Sequence, residues 1–310
     1  MRKALVFILL ISLLLTACGV PAPAESAGET LTFTDDLGRE VTAPARPRRV
    51  AALIGSFAEV WCLAGGRGSL AAAADDAWTG FDLGLGGGVA NLGAVKTPSL
   101  EALLAAEPDF VLASVNTGAN LELEDVLAAA GIPVAYFDVQ GFDDYLRMLD
   151  VCTELTGARE NYEKYGADVQ KEIDAAVARA DGSEPSVLVI RATGVSCKVK
   201  ASEGNVLGEM LRDLGCRNVA DSDASLLEEL SLETIIAAEP DYIFAVLQGS
   251  DPTDAMATLE QTLLSNPGWS GLKAVREGRF YTLEHELYNL KPNARWGEAY
   301  EKLADILYGQ

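Results

Sequence analysis

Glu101 and Glu233 each stand two residues after a serine, in two nearly identical phrases. Residues 99–114 read SLEALLAAEPDFVLAS and residues 231–246 read SLETIIAAEPDYIFAV, with nine of sixteen positions identical. A serine at that place can cap a helix, which puts each carboxylate in a first turn. There the positive end of the helix dipole stabilises it by about 0.3–1 kcal/mol. For one glutamate that local role suffices. Two matched acids on two equivalent units can also engage a partner with arginines at matching spacing, each carboxylate taking a bidentate guanidinium.

A second set of chemistry-bearing residues follows the apolar runs of strand length. In open α/β sheets, ligands bind beyond the carboxyl ends of the strands. That rule selects Ser56 and Phe57 after residues 49–54, Asp76 and Trp78 after 70–74, and Asn116 and Thr117 after 110–113. It also selects Arg191 after 187–190, Gln248 after 242–245, and His285 with Tyr288 after 280–283. A basic residue ending a buried strand suits an anion, and Lys198 and Arg295 are further cations that could meet a carboxylate, catecholate or propionate. Phe57 and Trp78 read equally well as packing, Tyr288 as cover for the last helix, and Arg295 with Trp296 as packing at a lobe edge. His285 is the only histidine, and a lone histidine is more often a surface or capping residue than a ligand. A bare Zn²⁺ or Mn²⁺ site normally wants several His and carboxylate ligands, so none is expected. An intact chelate is easier to hold, because the chelator supplies most of the metal's ligands. The protein then needs aromatic walls and a few polar or cationic anchors.

The elements that must position these groups alternate. Residues 31–34 and 40–42 read as a hairpin ended by Pro44 and Pro47. Strands at 49–54, 70–74, 110–113 and 133–137 are interleaved with helices at 57–64, 100–106 and 121–130, and with a Gly-rich loop at 78–88. Residues 142–180 have helical periodicity interrupted at Thr156-Gly157, and 158–180 reads as one long surface helix of about six turns. The pattern then resumes, with strands at 187–190, 242–245 and 280–283 and helices at 206–214, 232–238, 253–264 and 295–308. The expected fold is α/β: two pseudo-symmetric lobes with mostly parallel sheets, joined by a single long backbone helix, with a ligand cleft between them. The N-terminal lobe is expected over 31–157, the inter-lobe helix over 158–180 and the C-terminal lobe over 181–310.

The N-terminus carries an address. Arg2 and Lys3 precede an apolar run over 4–15, broken only by Ser12, and Leu15-Thr16-Ala17-Cys18 closes it. That describes an export signal over 1–17, too short for the roughly 20 residues of a spanning helix. Its ending resembles a lipobox, which implies cleavage before Cys18 and a lipid on its sulfur. Residues 18–30 then form a Pro/Ala-rich tether. The expected location is the extracytoplasmic face of the cell membrane, held by the lipid. Lys and Arg number 24 against 46 Asp and Glu, a formal charge of −22, so nucleic acid is not an expected partner. Cys62 and Cys152 read as small buried hydrophobes. A Cys197–Cys216 bridge is open, since sequence does not decide it.

An ordered set of motifs spans nearly the whole mature chain: Asp-Asp-Leu-Gly-Arg-Glu-Val-Thr at 35–42, Pro47-Arg48-Arg49-Val50, Ser-Leu-Glu with Glu-Pro-Asp in each repeat, and Leu155-Thr156-Gly157-Ala158. In this it resembles the substrate-binding proteins of ABC importers for iron–siderophores, haem and cobalamin. The resemblance implies a bilobed monomer in which one glutamate per lobe, here Glu101 and Glu233, docks onto arginines of the permease, with an ATPase as the further partner. It implies a ferric siderophore as first choice of ligand. Haem with His285 or Tyr288 as axial ligand, or cobalamin held against Trp78, are the alternatives. No nucleophile elbow, P-loop or paired-histidine metal helix is present, so no catalysis is expected. An exported enzyme, or a receptor lipoprotein uncoupled from transport, is the rival reading.

Overall fold

The computed structural model describes residues 29–309 except 82, 229, 250 and 251. The export signal, Cys18 and most of the tether lie outside the described residues. Among the described residues, no helix is long and apolar enough to cross a membrane.

A short hairpin, β1 (Thr30–Thr34) and β2 (Glu40–Pro44), precedes the first large sheet. That sheet contains β3 (Val50–Ala52), β4 (Leu70–Ala73), β5 (Ala90–Asn91), β6 (Phe110–Ser114) and β7 (Val134–Phe137), all parallel, in the order β5-β4-β3-β6-β7. The second sheet contains β8 (Ser186–Ala192), β9 (Cys197–Lys200), β10 (Arg217–Asn218), β11 (Tyr242–Leu247) and β12 (Phe280–Leu283). Its parallel order is β10-β8-β11-β12, and β9 pairs antiparallel along the free carboxyl half of β8. The central strands are apolar on both faces, as strands covered on both sides must be.

The repeated phrase is repeated in structure down to its hydrogen bonds. Ser99 Oγ accepts the Ala102 N–H at 3.2 Å, and Ser231 Oγ accepts the Thr234 N–H at the same distance. The helices Leu100–Ala105 and Leu232–Ala238 both give way to a left-handed glutamate, Glu107 at φ 45° and Glu239 at φ 41°. The aspartate that follows then ties down the entry to a neighbouring strand. Asp109 accepts the Arg48 and Arg49 N–H groups, and Asp241 accepts that of Ser186. Polar side chains fix each turn, and buried Pro108 and Pro240 separate helix from strand.

Between the sheets the chain is helical over 160–177, shorter than the expected 158–180, with a wider π-type turn at Glu163–Ala167. The helix Trp296–Tyr308 packs along it. Gly297 permits the approach, since a Cβ there would lie 2.7 Å from Glu172 Cβ. The two sheets share one apolar core through these helices, from Phe110 and Phe137 across Tyr145, Ile173 and Trp296 to Phe244 and Leu287. Each outer sheet face has a core of its own. Asn293 adds a polar tie, donating to the Ser56 carbonyl at 3.0 Å and to Glu59 Oε2 at 2.6 Å.

Several elements differ from the sequence expectation. The helix expected over 121–130 is two pieces, Gly118–Leu121 and Glu124–Ala129. Strands β5, β9 and β10 are additions of two to four residues, too short to show a period. Cys197 and Cys216 are both free thiols, so no bridge joins them.

Candidate functional site

The β8–β9 hairpin sets the electrostatics of the cleft. Arg191 lies directly opposite Lys198, and Val189 opposite Lys200. Because side chains alternate along a strand, Arg191, Lys198 and Lys200 all project from one face. Like charges directly opposite one another destabilise a sheet. Among the described residues, none of the three side chains has a hydrogen-bond or ion-pair partner to offset this. Burial pushes the Arg191 guanidinium down from its ordinary pKa. Burial also pushes the Lys200 ammonium down, and the charges of Arg191 and Lys198 push it further.

This face borders a cavity of about 590 Å³ whose lining includes Lys96, Thr193, Ser196 and Gln248 with the three cations. Lys96 comes from the loop between β5 and the Leu100–Ala105 helix, so both lobes contribute. No acid lines it among the described residues. Arg191 and Lys200 also border a smaller inner cavity of about 90 Å³, closed by Gln140, Asn205, Tyr288 and Lys291. Burial lowers the Lys291 pKa, and Asp138 partly opposes the shift. In a chain of net charge −22, this is a concentrated positive site with hydroxyl and amide donors around it. Such a lining is chemically suited to an anion.

Of the residues expected from sequence, Arg191 and Gln248 line the larger cavity and Tyr288 the inner one. The other strand-end residues line neither. Phe57 is 1% exposed and meets Phe137 edge-on, and Ser56 is buried beside it in the helix Gly55–Trp61. Asp76 accepts the Gly55 N–H at 2.8 Å, and burial raises its carboxyl above the ordinary value. Trp78 packs against the shared core. Asn116 donates to Asp138 at 2.6 Å, and Thr117 precedes the turn Gly118–Leu121. In this lobe the chain turns directly from strand into helix: Phe57 and Trp78 turn into the apolar core, and Asp76 and Asn116 bond polar groups of neighbouring strand ends.

The two candidate axial ligands each bond a backbone carbonyl, and for His285 this leaves Nε2 free. His285 Nδ1 donates to the Leu247 carbonyl at 2.9 Å, and Tyr288 OH donates to the Ala299 carbonyl at 3.0 Å. Arg295 pairs with Glu298 at 2.7 Å, and Trp296 is buried. Among the described residues, no group of three His, Cys, Asp or Glu side chains is placed to hold a metal ion. Glu101 and Glu233 are exposed in the first turns of the twin helices. Each helix runs back against the strand it feeds, so both carboxylates lie at the level of the strands' carboxyl ends.

Lys96, Lys200, Lys291, Gln140, Thr193 and Ser196 escaped the sequence reading. One signal was available. Cys197-Lys198-Val199-Lys200 alternates polar and apolar after Gly194, the pattern of a strand following a turn.

Residues 50–287 match the family described as periplasmic binding protein, and the chain belongs to that family. Among curated relatives, the iron-uptake system-binding protein of Bacillus subtilis is 26% identical over 212 residues, 66% of this chain and 63% of that protein. The match thus spans under two thirds of that relative's length. Among solved structures, Staphylococcus aureus SirA complexed with staphyloferrin B superposes at TM-score 0.70 and 21% identity, covering 90% of this chain and 97% of that one. A periplasmic haem-binding protein from Pseudomonas aeruginosa gives 0.69 and 21%, covering 84% and 93%. The fold is therefore that of a two-lobed α/β binding protein, and such folds hold ligands of different chemistry.

Proposed function

We propose that this chain is the solute-binding lipoprotein of an ABC importer, that it captures an anionic iron chelate between its lobes, and that it hands the chelate to a membrane permease. Iron is cargo here, ligated by its chelator. Arg191, Lys198 and Lys200 receive the chelate's negative oxygens from one lobe and Lys96 from the other, while Thr193, Ser196 and Gln248 bond its remaining polar edge. The observation that carries this reading is the row of three cations on one face of the β8–β9 hairpin, without partners among the described residues. A seated polyanion removes their mutual repulsion and gains charge-assisted hydrogen bonds. Glu101 and Glu233 present the loaded protein to paired arginines of the permease, and the lipid on Cys18 keeps it at the extracytoplasmic face of the cell membrane. On this reading the protein binds and does not turn over its ligand.

A polycarboxylate siderophore fits this lining better than haem or cobalamin. Its carboxylates match the cations, whereas His285 lines neither cavity and the buried Tyr288 hydroxyl is given to the Ala299 carbonyl. A thermal-shift panel tests the choice, since a tight ligand raises the melting point by mass action. Ferric polycarboxylates should raise it most. Stabilisation by haem or a cobalamin, with no response to any ferric polycarboxylate, would overturn the assignment.

A further inference from the structure

We propose that each lobe docks through a two-part contact: beside the carboxylate, an exposed apolar side chain, Leu104 on one lobe and Ile236 on the other, seats in a hollow of the permease. The proposal rests on the docking reading of Glu101 and Glu233.

Six large hydrophobic residues are exposed among the described residues, and two of them, Leu104 and Ile236, occupy the same position of the repeat. They are 38% and 43% exposed, while the residue before each, Leu103 and Ile235, is fully buried. Both lie three residues beyond the glutamate, so each shares a helix face with it. Exposed Ala105 and Ala237 follow, and the Ile236 tip borders Gly268 on one side while the rest of it faces solvent.

An isolated exposed leucine needs no explanation. Matched ones do, because packing does not impose the match. Two positions further on the lobes already diverge, with Ala106 buried and Ala238 exposed. Two equal faces on a duplicated body fit a partner that presents one patch twice, which is a two-fold symmetric membrane protein. Its patch would be an arginine fork beside an apolar hollow. The carboxylates then govern orientation and salt-sensitive association, and the apolar tips supply affinity that salt does not screen.

The test is binding of the full chain to its cognate permease–ATPase complex, reconstituted in lipid nanodiscs and measured across a salt series. L104A/I236A should weaken docking at least about tenfold at every salt concentration, with the salt slope, melting point and chelate affinity of wild type. E101Q/E233Q should weaken docking and flatten the salt slope. If L104A/I236A docks like wild type while E101Q/E233Q is weakened, the apolar contact is overturned and the carboxylate contact stands. If neither variant is weakened, or wild type does not bind, the docking reading itself fails.

Discussion

In the N-terminal lobe the polar groups at the strand ends satisfy one another. Asp76 holds the Gly55 N–H, and Asn116 and Gln140 both donate to Asp138. In the C-terminal lobe, Arg191, Lys198 and Lys200 have no such partners among the described residues. Yet the two lobes agree closely at the twin helices, where serine caps, left-handed glutamates and strand-anchoring aspartates recur in register. A partner with two equal sites keeps duplicated surfaces alike. On the proposed function, a ligand without that symmetry leaves the facing strand ends free to diverge, one lobe into a largely self-bonded wall that adds Lys96 and the other into a charged receptor.

Reversing the charge at Arg191 should break this contrast most severely. Arg191→Glu should lower affinity for the stabilising ferric polycarboxylate by a hundredfold or more, about 3 kcal/mol, as loss of a charge-assisted contact plus repulsion requires. Calorimetry reads this directly, and an unchanged dissociation constant would remove Arg191 from the site. On the symmetric side, Glu101→Ala with Glu233→Ala should cut cellular uptake by about tenfold or more, the size expected for losing two charge-assisted contacts. The same variant should leave the chelate affinity of the isolated protein untouched. Normal uptake would refute the docking role.

Protons give a smaller handle. Lys200 and Lys291 titrate below ordinary lysine in the free protein, chiefly through burial. A bound anion pulls both values back up, so binding takes up protons and affinity falls as pH rises through their titration range. Titration in buffers of different ionisation enthalpy should show that uptake, whereas net release would contradict it. Without ligand the unfolded chain binds more protons at these lysines than the folded one, so their contribution to stability rises with pH over the same range.

The smallest effect concerns the helices that join the lobes. Gly297→Ala forces a methyl against Glu172 and should cost about 1–3 kcal/mol, a fall of several degrees in melting temperature. Chelate affinity should be preserved. An unchanged melting point would mean that the two helices separate freely.

The duplicated phrase was legible from sequence because its information is local: a cap, an apolar stripe, Glu-Pro-Asp and a buried strand within sixteen residues. The strand-end rule reached the positions of Arg191 and Gln248 for the same reason. It selected Phe57 and Trp78 as well, because a residue leaving a strand points inward or into the cleft according to the turn, and sequence does not show which. Lys96 meets the β8–β9 hairpin only through the approach of two lobes, far apart in sequence. Lys291 needs the segment returning from the C-terminal lobe. Such contacts are set by tertiary packing, and single-chain periodicity carries no record of them.

The decisive measurement is a calorimetric comparison of wild-type protein with a ferric polycarboxylate and with a ferric hydroxamate of no net negative charge. A cleft built on Arg191, Lys198, Lys200 and Lys96 should bind the anionic chelate at least about a hundredfold more tightly. Equal affinities, or preference for the uncharged chelate, would contradict an anion-receiving site between these lobes.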